Sequence, residues 1–301
     1  MKNQIGTVRI VKNILLPSLT GRGRGVGLLV AFLLAACSHI DEDERLIYVR
    51  PVDVQRAVLI EDFTGQRCVN CPNATTAIHE LQQQYGEDNI IAVAIHSGPF
   101  AHRTTMTSAF ISDLATTDGD DYFAHWGIEA QPGVKINRGS PIYDPSQFAA
   151  VVSTELQKTT SIDFDMIEAV ADGSKLSVTI QPSIPSEDIN ARLQVWVVED
   201  SINAAGGDRN YVQFMPDGST SIDYVHNHVY RQSLTRDLYG DPYRHGALET
   251  NPDAISYECP IADAWNVSQL SVVVFLWSER DGVLQARRTK VTSATDNSSS
   301  F

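Results

Sequence analysis

Val58-Leu59-Ile60 is a continuous apolar run closed by Thr64-Gly65, the pattern of a strand buried on both faces followed by a turn. Ala74, Ile78, Leu81 and Tyr85 then recur at three- and four-residue steps, which predicts a helix with one buried stripe, opened near Pro72 and closed at Gly86. A second helix is predicted from Asp144, with Pro145 in the first turn, Gln147 completing a capping box, and Phe148, Val151, Val152 and Leu156 as its stripe. After Lys158 the period changes from helical spacing to alternation. Strands are predicted at 161–170, 175–181, 192–198, 227–234 and 270–277, with Arg280-Asp281-Gly282 turning into 283–291. The change places a domain boundary at 158/159. The second half reads as an all-β antiparallel sandwich, for which an immunoglobulin-like topology is an analogy.

Between the first strand and the first helix stands Cys68-Val69-Asn70-Cys71. Two cysteines at this spacing close a small disulfide where the chain turns tightly, and a strand-to-helix junction is such a place. At a helix start, unpaired amides and the positive end of the macrodipole favour thiolate over thiol. Arg67 adds a neighbouring cation. Cys68 is therefore the expected attacking thiol, and Cys71, further into the helix, the resolving one.

Val58-Leu59-Ile60-Glu61-Asp62-Phe63 followed by the Cys-x-x-Cys resembles the second strand and redox turn of thioredoxins. The resemblance covers roughly residues 50 to 158, with an apparent insertion near 97–121 that carries His102 and Met106 just beyond His96. It implies that Asp62 is the buried acid that takes a proton from Cys71. Without the family, Asp62 reads as a strand-end residue facing water. Trp126 to Ile136 resembles the segment in which a cis-proline opens a strand beside the dithiol, and Pro132 occupies that position. The implied role of Gln131 and Pro132 is to pair with an extended substrate. Alone, the same residues are a turn. Thioredoxins carry Trp before the first cysteine and Gly-Pro between the two, where this chain has Arg67 and Val69-Asn70, so the redox potential does not transfer.

In the second half, His226 and His228 of Tyr224-Val225-His226-Asn227-His228-Val229 are expected on one strand face. They either chelate a metal, for which no third ligand is evident, or pack at a domain interface. Tyr211, Phe214, Tyr239 and Tyr243 lie in Gly/Asp/Pro-rich stretches, as recognition aromatics or as plugs of a core edge. Cys259 is left single, which is the usual position of a buried small hydrophobe.

The first 36 residues read as a signal peptide: a basic stretch through Arg24, then an apolar segment from Val26 to Ala36 too short to span a bilayer. Leu34-Ala35-Ala36-Cys37 resembles the bacterial lipobox, which implies acylation of Cys37 as a lipid anchor. Residues 37–49 form a tether whose Ser38-His39-Ile40-Asp41-Glu42-Asp43-Glu44 resembles the surface-export signal of Bacteroidetes lipoproteins. The precursor carries a net charge of -14, and from Cys37 onward 18 basic residues face 37 acidic ones. That balance argues against nucleic acid as a partner. A location outside the cytosol is one where disulfides persist.

Lipobox, thioredoxin-like half (50–158) and β-rich half (159–301) together resemble the twenty-eight-kilodalton outer-membrane lipoprotein family of the Bacteroidetes. The family implies an outer-membrane anchor, facing either the periplasm or the surface, and defines the activity weakly. Three functions follow: a thiol-disulfide oxidoreductase acting on envelope protein thiols or disulfides, a noncatalytic adhesin or ligand-binding lipoprotein in which the disulfide is structural, and a metal handler. One cysteine pair without a second half of a zinc site disfavours the last. The first two call for no cofactor and no metal.

Overall fold

The long strands β8 and β14 organise the molecule, because each is buried on both faces. The computed structural model describes residues 54–104, 114–139, 141–203, 211–247 and 252–294, all within one compact unit. In chain order they form β1 (Val54–Gln55), β2 (Val58–Thr64), α1 (Cys71–Tyr85), β3 (Ile90–His96), α2 (Thr117–His125), β4 (Gly133–Ile136), a short 3-10 turn (Pro145–Gln147), α3 (Phe148–Glu155), β5 (Thr159–Thr160), β6 (Phe164–Asp172), β7 (Lys175–Pro182), β8 (Ile189–Glu199), β9 (Gln213–Phe214), β10 (Thr220–Ser221), β11 (Val229–Ser233), β12 (Asp241–His245), β13 (Ile255–Pro260), β14 (Leu270–Ser278), β15 (Gly282–Lys290) and β16 (Thr292–Ser293). Strand dominates, and helices are few.

The main sheet runs β15-β14-β8-β11-β3-β2-β4, with β12 also paired to β8. Leu193, Val195 and Val197 of β8 and Val272, Val274 and Leu276 of β14 point to one face, where the sheet β13-β7-β6-β16 packs over them as the second layer of a sandwich. Trp196 and Val198 of β8 and Val273, Phe275 and Trp277 of β14 point to the other, against Tyr122 of α2 and Leu59 and Phe63 of β2. The remaining face of β2, Val58 and Ile60, packs with Ala74, Ile78 and Leu81 of α1 and Phe148 and Val152 of α3. Strict alternation thus lets one sheet serve three apolar layers.

The helix signals are realised closely. Asp144 caps the 3-10 turn with a complete capping box, and α3 follows it. The expected break at Lys158 separates helix-rich from strand-rich sequence but not two sheets. Strand β11 pairs antiparallel with β8 and parallel with β3 through Val229 and Ala94, so strands from both sides of residue 158 are continuous. The physical reason is that β3 would otherwise present an open edge, which β11 covers.

The single cysteine, Cys259, is buried on β13 beside Leu176. Tyr211 packs with Leu114, Ile202 and Val229, Tyr239 meets His125 and Tyr122, and Tyr243 lies buried on β12. All three close core edges. Among the described residues no helix is long and apolar enough to cross a membrane.

Candidate functional site

Strand β2 is buried along its whole length and ends at Thr64. The chain then turns tightly: Cys68 donates its amide to the Gly65 carbonyl (3.0 Å) and Cys71 to the Cys68 carbonyl (3.3 Å). A Cβ at Gly65 would sit 2.5 Å from the Phe100 backbone, so only glycine admits the neighbouring loop here. Cys68 and Cys71 form a disulfide. Cys71 is the first residue of α1, with Pro72 next, and neither an Asn70 side-chain cap nor a first-turn acid competes for the helix start. No carboxylate in the first turn therefore offsets the helix dipole near the sulfurs. The sulfurs are well covered: Cys68 is 3% exposed and Cys71 1%, while the tip residue Val69 is 41% exposed.

Asp62 faces the interior rather than water. It pairs with Ala94 on one side and Val134 on the other, is 3% exposed, and its Oδ1 has no hydrogen-bond partner among the described residues. Burial raises its carboxyl to about 7.

The Gln131-Pro132 peptide is cis. Gly133 pairs with Phe63, which brings this peptide to the end of the sheet that carries the dithiol. Gln131 turns its side chain inward, where its amide donates to the carbonyls of Thr64 and Ser97 (2.8 Å each) and its oxygen accepts from Phe100 N (3.2 Å). Arg67 donates to the carbonyls of Pro99 (3.0 Å) and His102 (2.9 Å). Both side chains thus tie the 97–102 loop to the turn that carries the disulfide. His102 meets Asp120 at 2.8 Å. Met106 and Cys37 lie outside the described residues.

Two features had no signal in the sequence. A strap from β9 lies on the turn that carries the disulfide: the Gln213 amide donates to the carbonyls of Cys68 (2.9 Å) and Gly65 (3.3 Å), Gln66 donates to Val212 O (2.9 Å), and Phe214 N donates to Gln66 O (2.8 Å). A cleft of about 340 Å3 also opens between α1 and residues 213–228, with Asp62 and His96 in its wall. Neither glutamine belongs to a periodic segment, and their sequence separation of nearly 150 residues hides the contact.

His226 and His228 do not share a strand face, because β11 begins only at Val229 and His228 adopts φ 58°, a left-handed turn that breaks alternation. His226 is buried edge-on to His96, with ring centroids 5.3 Å apart, and its Nε2 meets Tyr211 O at 2.9 Å. Burial lowers its pKa to about 4, and burial together with His226 lowers that of His96 well below the usual imidazole range. His228 instead joins Asp200 (3.0 Å), Arg288 (2.8 Å) and Gln82 of α1 (3.3 Å). Burial would raise the Asp200 carboxyl, but hydrogen bonds from His228 and the Arg288 charge hold it far below the usual carboxylate range. No cluster of three or more His, Cys, Asp or Glu side chains suited to a metal occurs among the described residues.

The family model described as outer membrane protein Omp28 matches residues 119–295. No curated protein matches the chain. Among solved structures, HBP35 of Porphyromonas gingivalis is 15% identical, with 79% of this chain and 76% of that one covered at a TM-score of 0.57, a likeness of fold alone. A structural-genomics protein from Agrobacterium tumefaciens is 13% identical over 78% of this chain and 95% of its own, at a TM-score of 0.45. A domain of the outer membrane lipoprotein Omp28 from Porphyromonas gingivalis is 16% identical over 44% of this chain and 90% of its own, at 0.31. Since the family model spans more than half of the sequence, the chain belongs to the outer membrane protein Omp28 family.

Proposed function

We propose that this protein, anchored through acylated Cys37, is a thioredoxin-like thiol-disulfide exchange protein acting on envelope protein thiols or disulfides. The reading is carried by one observation: the Cys68–Cys71 bond lies at the start of α1, on the strand-end that also bears the buried Asp62 carboxyl, raised to about 7. The β2-α1-β3 unit with parallel β2 and β3 and an antiparallel β4 opening at the cis Gln131-Pro132 peptide supports the thioredoxin-like assignment.

In the reducing direction, the Cys68 thiolate attacks one sulfur of a partner disulfide and the other partner sulfur leaves as thiolate. Cys71 passes its proton to Asp62 and attacks Cys68. The second partner thiolate is released, the Cys68–Cys71 bond re-forms, and two electrons have passed to the partner. The oxidising direction is the reverse. The backbone at Gln131 offers the substrate an extended edge, and Arg67, spent on two carbonyls, supports the turn.

A second reading is favoured by the coverage of both sulfurs: the disulfide is a permanent staple in a ligand-binding or adhesive lipoprotein. Gentle reduction of the native protein followed by iodoacetamide separates the two. Labelling of Cys68 before unfolding, and a trapped mixed disulfide with the Cys71→Ser variant, support exchange. Labelling only after unfolding supports the staple.

A further inference from the structure

We propose that the cleft between α1 and the Tyr224–His228 segment is a binding site for a small organic ammonium ion, its charge seated at Asp62 and its apolar body between Pro72, Met215 and Tyr224. The cleft measures about 340 Å3, within the range of roughly 300–1,000 Å3 usual for small-molecule sites. Its wall is mixed: Pro72, Ile78, Met215 and Val225 are apolar, and Asp62, Thr75, Gln82 and His96 are among its polar residues.

What selects the ligand is the state of those polar atoms. Asp62 Oδ1 and His96 Nδ1 are both buried and both lack a protein partner among the described residues. Several donors around them are engaged elsewhere. Gln213 donates to the carbonyls of Cys68 and Gly65, Gln82 to Ile90 O (3.3 Å), and the Tyr224 hydroxyl is bonded to Thr75. The nearby cations are likewise neutralised: Arg231 by Glu199 at 2.7 Å and Arg288 by Asp200. A buried carboxyl oxygen without a donor, in a cleft whose wall is part apolar, is complementary to a group that brings donors and positive charge on an apolar stem. An anion would meet Asp62 unfavourably, and a metal would find too few ligands.

The titratable groups bordering Asp62 are Tyr224 across the cleft, His96 on β3, His226 beside it, and His79 and His228 at the margins. Since burial favours the protonated carboxyl, the ammonium ion is expected to bind with proton release, more tightly at pH 8 than at pH 6.

The test uses the disulfide-intact protein from Cys37 onward, so it stands apart from the exchange reading. Benzylammonium, benzyl alcohol and benzoate are titrated at pH 8 by calorimetry and by amide chemical shifts. The expected result is saturable benzylammonium binding at least tenfold tighter than benzyl alcohol, with shifts at Thr75, Thr76 and Tyr224. Asp62→Asn removes at least tenfold of that affinity, and Thr76→Trp, which fills the mouth from an exposed helix position, abolishes it. Equal affinity for the alcohol and the ammonium ion, unchanged binding in both variants, or no saturation by millimolar ligand each overturns the proposal.

Discussion

The Gln213 side chain donates its amide to the backbone carbonyl of Cys68 at 2.9 Å, so a residue of the strand-rich half holds the turn that carries the disulfide. Gln213 is 2% exposed and Gln66, reaching back to Val212, is fully buried. Removal of Gln213 takes that donor from three carbonyls, those of Gly65, Cys68 and Phe214.

Gln213→Ala is therefore expected to destabilise the fold by about 0.5–1.5 kcal/mol, the usual net worth of a lost hydrogen bond, because the Cys68 and Gly65 carbonyls keep backbone donors. It is also expected to raise the alkylation rate of Cys68 in gently reduced protein. Urea denaturation and timed iodoacetamide labelling measure the two effects, and an unchanged labelling rate would show that the strap does not limit access.

Asp62 sets a pH dependence of known sign. Its carboxyl lies near 3.8 in the unfolded chain and about 7 in the folded one. The folded state therefore holds the extra proton between these values, and stability falls as pH rises from about 4 to 7. Asp62→Asn should be neutral at pH 4 and stabilising at pH 8, by up to about 4 kcal/mol. Paired urea curves at the two pH values check it, and equal differences at both would contradict the assignment.

His226 acts in the opposite sense. An unfolded imidazole protonates near 6.5, whereas this one does so only near 4. Its contribution to stability is complete above about 6.5 and is lost as pH falls towards 4. A two-dimensional NMR titration of the imidazoles should find the His226 midpoint near 4, and a midpoint near 6.5 would refute its burial.

Glu61 and Arg138 form a buried pair at 3.1 Å, both essentially without solvent exposure. The guanidinium lies 4.3 Å from the Trp277 ring and 4.7 Å from that of Phe275. Arg138→Met strands the Glu61 charge and should cost about 3–5 kcal/mol. Adding Glu61→Met should recover part of it, because no stranded carboxylate remains, while Lys135 loses the Glu61 charge beside it. Denaturation midpoints of the single and double variants give the coupling directly, and additive losses would exclude the pairing.

Much of this architecture was legible along the chain. The Ala74-Ile78-Leu81 stripe, the Asp144-Pro145-Ser146-Gln147 cap and the alternation of β7, β8 and β14 are local signals, and local signals specify local geometry: residues three or four apart meet on a helix, and residues two apart share a strand face. The placement of Cys68 and Cys71 at a strand-to-helix turn is of the same kind. The Trp126 to Ile136 resemblance likewise pointed to Pro132, whose bond is cis. The burial of Asp62 followed only from the thioredoxin resemblance, and the pairing of β11 with β3, the Gln213 strap and the divergence of His226 from His228 were not legible. They join residues separated by tens to nearly 150 positions, or turn on a single left-handed residue at His228. The amino-acid order by itself determined which segments would be helix or strand, where two sulfurs would meet, and that the chain is acidic. Tertiary structure alone decided that one sheet would cross both halves and enclose a carboxyl beside a cleft, because burial and desolvation belong to what surrounds a side chain in space and not to its neighbours in sequence.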